Sequence, residues 1–388
     1  LMSLSKISEK FILNRLKKLE NGNLKLINYD GKVFHFGNLE SELYADIKIN
    51  NPNFFTNIIL GGSSAFGEAH IKKDFYTSNL TNLIEITAKN VKLVYSFSGS
   101  LKLQKLKNLL KKIFASNTKS KSLKNISKHY DLGNDFFSKW LDKSLTYSSA
   151  IYMDQNESLE KAQRNKYQKL IDLLKIKEGN KVLEIGCGWG GFSEYLAKNY
   201  NVSIDCITIS KKQFEFSKNR ISASGLDNKV NVKFLDYRDV KDKYDNIASI
   251  EMIEAVGENY LDKYFGTIKN SLKSNGTAAI QGITISDNLF ERYRRSEDFI
   301  QKYIFPGGFL PSEKFMKQLI KKHNLSLDKI NTYSDDYAKT LNIWKSNFLN
   351  AWKNISPLGF DEAFKRMWEF YLSYCEAGFK SKNINLIQ

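Results

Sequence analysis

The sequence has few cysteines and no long apolar run. Its 388 residues include three cysteines, Cys187, Cys206 and Cys375, which are scattered and form no CxxC pair. That pattern argues against a structural zinc site and a disulfide framework, so we predict no metal site and a reducing, cytoplasmic setting. No apolar stretch approaches the roughly 18 residues of a membrane span, and no signal peptide is visible.

Acidic residues are scarcer than basic ones. The protein has 59 Lys and Arg against 42 Asp and Glu, a formal net charge of +17. Such an excess favours a polyanionic partner, either nucleic acid or an anionic membrane face. The alternative is a general enrichment in Asn and Lys along the whole sequence. The hydrophobic content of 42% is high enough for a sizeable packed core.

The sequence divides into three regions by pattern. Residues 1–100 combine a helical stretch with short alternating runs such as "GKVFHFG", "ADIKIN" and "VKLVYSFSG", which predicts a small α+β domain. Residues 101–128 contain nine lysines and no acid, with leucines at helical spacing. We interpret them as a Lys-rich amphipathic helix and a linker. Residues 129–388 form the third region.

The third region alternates helices and strands. A helical pattern, "LEKAQRNKYQKLIDLL", precedes five strand-like runs: "KVLEIG", "VSIDCITI", "VNVKFLD", "YDNIASI" and "GTAAIQGITI". Alternation of this kind predicts an α/β fold with a mostly parallel sheet and helices on both faces. After residue 290 the pattern becomes helical and rich in aromatic residues.

A glycine-rich loop follows the first of these strands, with glycines at 186, 188, 190 and 191. Such a loop either makes a tight strand-to-helix turn or lets a ligand approach the backbone closely. A dinucleotide site would place an acid at the tip of the second strand, but that strand ends in "TIS" and Asp205 lies within it. With "LEI" before it, the loop is similar to that of class I S-adenosylmethionine-dependent methyltransferases.

Seven motifs then occur in a characteristic order: "HYDLGNDFF", "LTYSSAIY", "LEIGCGWGGF", "ITISKKQ", "DYRD", "SIEMIEAVG" and "YIFPGGFLPS". In this order they resemble the cyclopropane-fatty-acyl-phospholipid synthases. The stretch "NPNFFTNIILGGSSAFGEAHIKKDFY" also resembles the amino-terminal domain of the bacterial synthases, so the resemblance covers nearly the whole sequence. It implies a class I, Rossmann-like methyltransferase fold, a small N-terminal domain that associates with lipid, and a C-terminal helical region that binds the acyl group.

The resemblance also implies which residues bind S-adenosylmethionine. The implied positions are Tyr147 and Ser148 at the methionine end, Glu184, Gly186, Gly188 and Gly190 in the strand and loop, Thr208, Ser210 and Gln213 on the ribose side, and Asp236 and Tyr237 at the adenine.

In this family the methyl acceptor is a carbon–carbon double bond of the fatty acyl group, and a proton must leave the added methyl group before the ring can close. The resemblance implies that Glu254 and Tyr337 hold a bicarbonate ion that takes the proton. Ser149 and Ile283 would offer backbone N–H groups to this ion, and Gln281 a side-chain donor. Cys375 matches a cysteine traditionally labelled as the active site, with a small buried apolar role as the alternative. We interpret Glu251 and Glu258 as solvated surface groups.

The sequence departs from the common bacterial pattern at three positions. Ser149 replaces a Cys, Ala255 follows Glu254 where the family has His, and Gln281 replaces a His. This variant resembles a subset that includes plant synthases. It is also similar to actinobacterial enzymes that add a methylene or methyl branch to oleoyl groups.

Four functions therefore compete. The leading one is cyclopropane formation on unsaturated phospholipid acyl groups at an anionic membrane surface. The protein would bind to the inner face of the membrane, and a homodimer is allowed. The second is methylene or methyl-branch formation on the same lipids. The third is lipid binding with a decayed site, which the intact glycines and Glu254 oppose. The fourth is nucleic-acid methylation, but no NPPY-like motif or nucleic-acid-binding signature supports it, so we predict no nucleic-acid partner.

Overall fold

The computed structural model describes residues 3–97 and 132–388. The predicted Lys-rich helix and linker at 101–128 lie outside the described residues. The described residues form two compact units, each of which is assembled from separate segments.

The first unit contains residues 3–97, Arg295–Pro306 and Trp352–Asn383. Its helices are α1 (Leu4–Leu16), α2 (Phe54–Ile71), α3 (Leu80–Lys89), α4 (Val91–Ser96), α12 (Phe299–Tyr303), α15 (Trp352–Ile355) and α16 (Glu362–Lys380). Its strands are β1 (Asn23–Ile27), β2 (Val33–Gly37), β3 (Tyr44–Ile49) and β4 (Phe75–Tyr76), in the sheet order β2-β1-β3-β4. The pairing of β1 with β3 is parallel, and the other two pairings are antiparallel.

Two features of this unit differ from the sequence prediction. The alternating run "VKLVYSFSG" contains the helix α4, so its interpretation as an extended run was wrong. Asn90 alone separates this helix from α3, and its side chain donates a hydrogen bond to the Ile86 carbonyl of α3, so that α4 follows α3 without an extended connection. The segments that carry α12 and α16 also pack in this unit, whereas the sequence division placed them in the catalytic region at 129–388.

The core of the first unit is rich in phenylalanine. Phe66 stacks on Phe75 with ring centroids 5.0 Å apart, and Phe299 contacts Phe370 at 4.6 Å. Gly67 lies buried on α2 against the last two rings. An added Cβ there would meet the Phe299 ring at 2.3 Å, so this packing requires a residue without a side chain.

The second unit contains Leu132–Arg294, Gly307–Ala351 and Ile384–Gln388. Its strands are β5 (Lys181–Ile185), β6 (Ser203–Thr208), β7 (Val230–Phe234), β8 (Tyr244–Ile250), β9 (Leu272–Ile285) and β10 (Ile384–Ile387). Its helices are α5 (Asn134–Ser138), α6 (Leu159–Leu174), α7 (Gly191–Asn199), α8 (Lys211–Ala223), α9 (Ile253–Val256), α10 (Leu261–Ser271), α11 (Asp287–Tyr293), α13 (Glu313–Lys322) and α14 (Ser334–Asn350).

The sheet of the second unit has the order β10-β9-β8-β5-β6-β7. Every pairing is parallel except that of β10 with β9, which confirms the predicted α/β class and mostly parallel sheet. The predicted helix "LEKAQRNKYQKLIDLL" is α6, residue for residue. The carboxyl ends of β8, β5, β6 and β7 lie along one edge of the sheet, which is where ligands bind in folds of this kind.

The apolar side chains of these strands and helices form the core, in which Val182, Leu196 and Ile204 are almost wholly buried. Within the described ranges, no helix is both long enough and apolar enough to span a bilayer.

Candidate active site

The glycine loop after β5 adopts a conformation that only glycine takes without strain. Gly186, Gly188 and Gly190 have φ values of +78°, +53° and +83°. The loop is fixed from behind, because the N–H groups of Gly186 and Cys187 both donate to the Ile207 carbonyl at 3.0 Å. An added Cβ at Gly188 would meet no atom within 4 Å. The loop thus presents open space and bare backbone to a ligand, as an S-adenosylmethionine site requires.

Glu184 supports this loop from within the core. Its side chain is buried and accepts a bond from the Ser193 hydroxyl on α7. Burial raises the pKa of Glu184 to about 8, against the opposing effect of that bond. Its assignment to the cofactor remains a prediction, since its carboxylate bonds a neighbouring helix.

The predicted ribose-side residues follow β6. Thr208 donates to the Gln213 side chain at 3.2 Å, and the Ser210 hydroxyl accepts from the Gln213 backbone N–H at the start of α8. The predicted adenine-side residues follow β7. Asp236 forms a bidentate ion pair with Arg238, and these hydrogen bonds lower the pKa of the Asp236 carboxyl. These residues share the sheet edge with the glycine loop and therefore fit a nucleoside that lies along it.

Tyr147 and Ser148, predicted at the methionine end, lie between aromatic rings and a buried lysine. The Tyr147 ring contacts Trp140 and Trp344, with centroids 5.6 and 5.5 Å away. Ser148 accepts a bond of 2.6 Å from the ammonium group of Lys166 on α6. Lys166 is wholly buried, and burial lowers the pKa of its amine to about 8 against the opposing charges of Glu251, Asp142 and Glu184.

Replacing Lys166 with Met should shift the pH dependence of activity to higher pH. Loss of the buried positive charge raises the pKa values of the carboxyls that it faces, Glu251 and Glu184, so a higher pH is needed to ionise them. We expect roughly a tenfold loss of kcat/KM at neutral pH, with recovery as the pH rises. A pH series on the purified variant measures this. Lys161→Met, at an exposed position of the same helix, is the control, and an unshifted profile for Lys166→Met would contradict the assignment.

The carboxylate of Glu251, immediately after β8 at the sheet edge, accepts hydrogen bonds from three residues. Its Oε1 accepts from the backbone N–H of Ser149 at 2.7 Å and from Nε2 of Gln281 at 2.8 Å. Its Oε2 accepts from the Tyr337 hydroxyl. Glu251 also has φ of +48°, a left-handed conformation that costs a residue with a side chain about 1 kcal/mol or more. The interpretation of Glu251 as a solvated surface group was therefore wrong.

Burial raises the pKa of Glu251. The bond from Tyr337, the charge of Lys166 and the donors on Oε1 oppose this rise. Gln281 is held in the required orientation because its Oε1 accepts a bond of 2.8 Å from Gln388.

Glu254 lies one helical turn further along, in α9. Its Oε1 accepts a 2.6 Å bond from the backbone N–H of Ile283 on β9. Its Oε2 is buried and has no hydrogen-bond partner among the described protein atoms. Burial, followed by the negative charge of Glu251, raises the pKa of Glu254 to about 8. Two neighbouring carboxyls disfavour double ionisation.

Aromatic side chains border the carboxylates. Tyr337 contacts Trp344 with centroids 6.1 Å apart, and Trp344 contacts Trp140 at 5.8 Å. Such faces stabilise a nearby cation by about 0.5–2 kcal/mol each.

The structure thus brings Glu254, Tyr337, Gln281, Ser149 and Ile283 together around Glu251 in the second unit. Cys375 lies on α16 of the first unit. Burial raises the pKa of its thiol and so keeps it protonated, as expected for a small packed side chain rather than a thiolate nucleophile.

Glu251 and Lys166 are the residues of the candidate site that the sequence reasoning did not assign to it. Lys166 occupies a buried position on α6, spaced by four from Ala162 and Leu170. A lysine on the apolar face of a helix was the available signal, because lysine is almost never buried without a partner.

Comparison with known proteins identifies the family. The model of the mycolic acid cyclopropane synthetase family matches residues 117–388. The chain belongs to this family. One relative, the cyclopropane-fatty-acyl-phospholipid synthase of Escherichia coli, is 35% identical over 348 residues, which cover 89% of this chain and 87% of the relative. The tuberculostearic acid methyltransferase UfaA1 of Mycobacterium tuberculosis is 34% identical over 335 residues, 84% of this chain and 78% of the relative.

Solved structures of the family agree. The mycolic acid cyclopropane synthase CmaA1, in complex with SAH and CTAB, aligns with a TM-score of 0.63 and 27% identity, covering 69% of this chain and 96% of the other. The cyclopropane synthase MmaA2 of Mycobacterium tuberculosis aligns with the same TM-score and 25% identity, over the same shares of the two proteins. The second unit therefore has the class I methyltransferase fold, as predicted. As a member of the cyclopropane synthetase family, the protein is an S-adenosylmethionine-dependent enzyme that cyclopropanates or methylates lipid acyl groups.

Proposed function

We propose that the protein converts the cis double bond of an unsaturated phospholipid acyl group into a cyclopropane ring. The carboxyl pair Glu251 and Glu254, enclosed at the sheet edge beside the glycine loop, is the observation that carries this proposal. The 35% identity to a phospholipid cyclopropane synthase over 89% of the protein supports the lipid class.

When bound, S-adenosylmethionine supplies an electrophilic methyl group. After its transfer to the alkene, a positive charge remains on the acyl group, and the partly exposed ring of Tyr147, which packs on the buried Trp140 and Trp344, would border it. A C–H bond of the added methyl group must then break, and its electron pair forms the last bond of the ring. The protein's own contribution is a carboxylate of the Glu251 and Glu254 pair, which accepts that proton.

A methylene branch is the second candidate. The 34% identity to a tuberculostearic acid methyltransferase favours branch formation. A methylene branch needs the same loss of one methyl proton and differs only in the destination of the electron pair. A saturated methyl branch would also need a two-electron reductant.

The substrate test uses purified protein with unsaturated phosphatidylglycerol vesicles, and RNA as the competing acceptor. Labelled methyl transfer to the lipid is the expected result, and transfer to RNA alone would refute the proposal. Because the ring and the methylene branch have the same mass, NMR of the isolated fatty acyl products decides between them. Cyclopropane protons support the leading proposal, and vinylidene protons establish the second candidate.

We also propose that the enzyme docks on an anionic membrane surface. The net charge of +17 supports this. So does an open cleft along α1, where Ile7 is 45% exposed and Lys10 and Arg15 are joined by Lys18 just after the helix. A basic side chain near such a surface contributes about 1 kcal/mol.

Changing Lys10, Arg15 and Lys18 to Gln should weaken binding to anionic vesicles by up to about 100-fold at low salt, and by less as salt rises. Co-sedimentation with phosphatidylglycerol vesicles measures the affinity. The matched control changes the exposed Lys177, Lys241 and Lys263 to Gln, which removes the same charge from the second unit. Equal losses in the two triple variants would show that net charge, and not α1, governs docking.

A further inference from the structure

Every donor that the family resemblance assigns to a bicarbonate ion is already bonded to a carboxylate of the protein. The Ser149 N–H, the Gln281 amide and the Tyr337 hydroxyl converge on Glu251. The Ile283 N–H is bonded to Glu254. The residues present therefore do not fit a bound bicarbonate, because its donors are in use.

We propose that the carboxylate of Glu251 replaces the ion, accepts the proton during ring closure, and makes the enzyme independent of bicarbonate. This inference rests on the proposed function. In the step itself, a C–H bond of the added methyl group breaks, its electron pair closes the ring, and the proton moves to a Glu251 oxygen. Glu251 later returns the proton to solvent, so no oxidant, reductant or other co-reactant is needed.

The hydrogen bonds distinguish the roles of the two carboxyls. Three donors favour the ionised form of Glu251. Glu254 receives only the Ile283 N–H, and its second oxygen is buried without a partner among the described residues. An ionised oxygen in that state would bear the full cost of desolvation. We therefore assign the proton to Glu254 and the negative charge to Glu251.

The backbone offers a direct way to test this replacement. Glu251 has φ of +48°, a conformation that glycine adopts freely. Glu251→Gly therefore removes the carboxylate, relieves the backbone strain and leaves the three donors facing a space the size of a small anion. Bicarbonate or formate added from solution should enter that space.

The experiment compares four proteins in carbonate-free buffer: the unaltered enzyme, Glu251→Gly, Glu251→Gln and Glu254→Gln. We expect the unaltered enzyme to be unaffected by added bicarbonate. Glu251→Gln and Glu251→Gly should each lose about 100-fold or more in product formation, and Glu254→Gln less than about tenfold. Bicarbonate or formate should raise the activity of Glu251→Gly by at least about tenfold. It should not change the activity of Glu251→Gln, because the amide fills the space.

Calorimetry gives a second readout that does not depend on turnover. Bicarbonate should bind to Glu251→Gly and not to the unaltered protein, while S-adenosylmethionine affinity stays the same in all four. If the unaltered enzyme leaves phospholipid unmodified yet shows this binding pattern, the proposed function fails and the replacement of the ion stands. Stimulation of the unaltered enzyme by bicarbonate, or a larger loss in Glu254→Gln than in Glu251→Gln, would overturn the inference.

Discussion

Valine at position 188 should leave the protein folded and reduce its affinity for S-adenosylmethionine by at least about 100-fold. Gly188 has φ of +53°, and an added Cβ would project into open space at the sheet edge. For a branched side chain this backbone conformation costs about 1–2 kcal/mol. The side chain also occupies the space that the ligand needs, so strain and obstruction add.

The control for this prediction is Gly225→Val. Gly225 has φ of +66° and no atom within 4 Å of an added Cβ, but it follows α8 at the opposite end from the predicted ribose-side residues. Gly225→Val therefore has the same kind of backbone strain, but its new side chain lies away from the glycine loop. Calorimetry should show near-normal affinity for Gly225→Val. If both variants bind the cofactor like the unaltered protein, Gly188 does not belong to the site.

Alanine at position 67 should destabilise the first unit by about 1–3 kcal/mol. Gly→Ala inside a helix ordinarily stabilises by about 1 kcal/mol. At Gly67 the sign reverses, because the new Cβ would meet the Phe299 ring at 2.3 Å and the Phe370 ring at 2.9 Å. Both rings are fully buried, so neither has room to move aside.

Hydrogen exchange measures this effect where it occurs, since peptides from α2, α12 and α16 should exchange faster in Gly67→Ala. Ser63→Ala, at an exposed position of α2 directly after the kink at Gly62, is the control and should leave the exchange of these peptides nearly unchanged. Slower exchange in Gly67→Ala would mean that the rings accommodate the methyl group.

Elements with a long and regular pattern were predictable. The helix α6 and strands β5 to β9 follow from hydrophobic periodicity and from the glycines that punctuate them. The run that contains α4 failed because six residues of mixed apolar character fit a short helix as well as a strand. The grouping of α12 and α16 with the N-terminal residues depends on long-range packing, which local patterns do not encode.

The candidate site was predictable in its members and not in its connections. The motifs named Ser149, Gln281 and Tyr337 as candidate site residues. That their donors meet on Glu251 depends on a left-handed residue at the end of β8 and on the crossing of four segments of the protein. The sequence does not show whether a glutamate side chain faces water or hydrogen-bond donors. The interpretation of Glu251 as a surface group was therefore equally consistent with the sequence.

Two hydrogen bonds of the first unit join residues that are synthesised far apart in time, which affects the order in which the protein can fold during synthesis. Thr81 on α3 bonds Glu376 on α16, and Asn383 bonds the Ala88 carbonyl, each across 295 positions of the sequence. At about 5–20 residues per second, a ribosome needs about 15–60 s to synthesise that interval.

During this time the apolar faces of α2 and α3 lack the helix that covers them. Most of the second unit, Leu132–Arg294, emerges in the same interval as one continuous segment. We therefore expect the parallel strands β5 to β9, which lie in that segment, to pair on the ribosome before α16 is made, whereas the N-terminal helices gain their cover only at the end of synthesis.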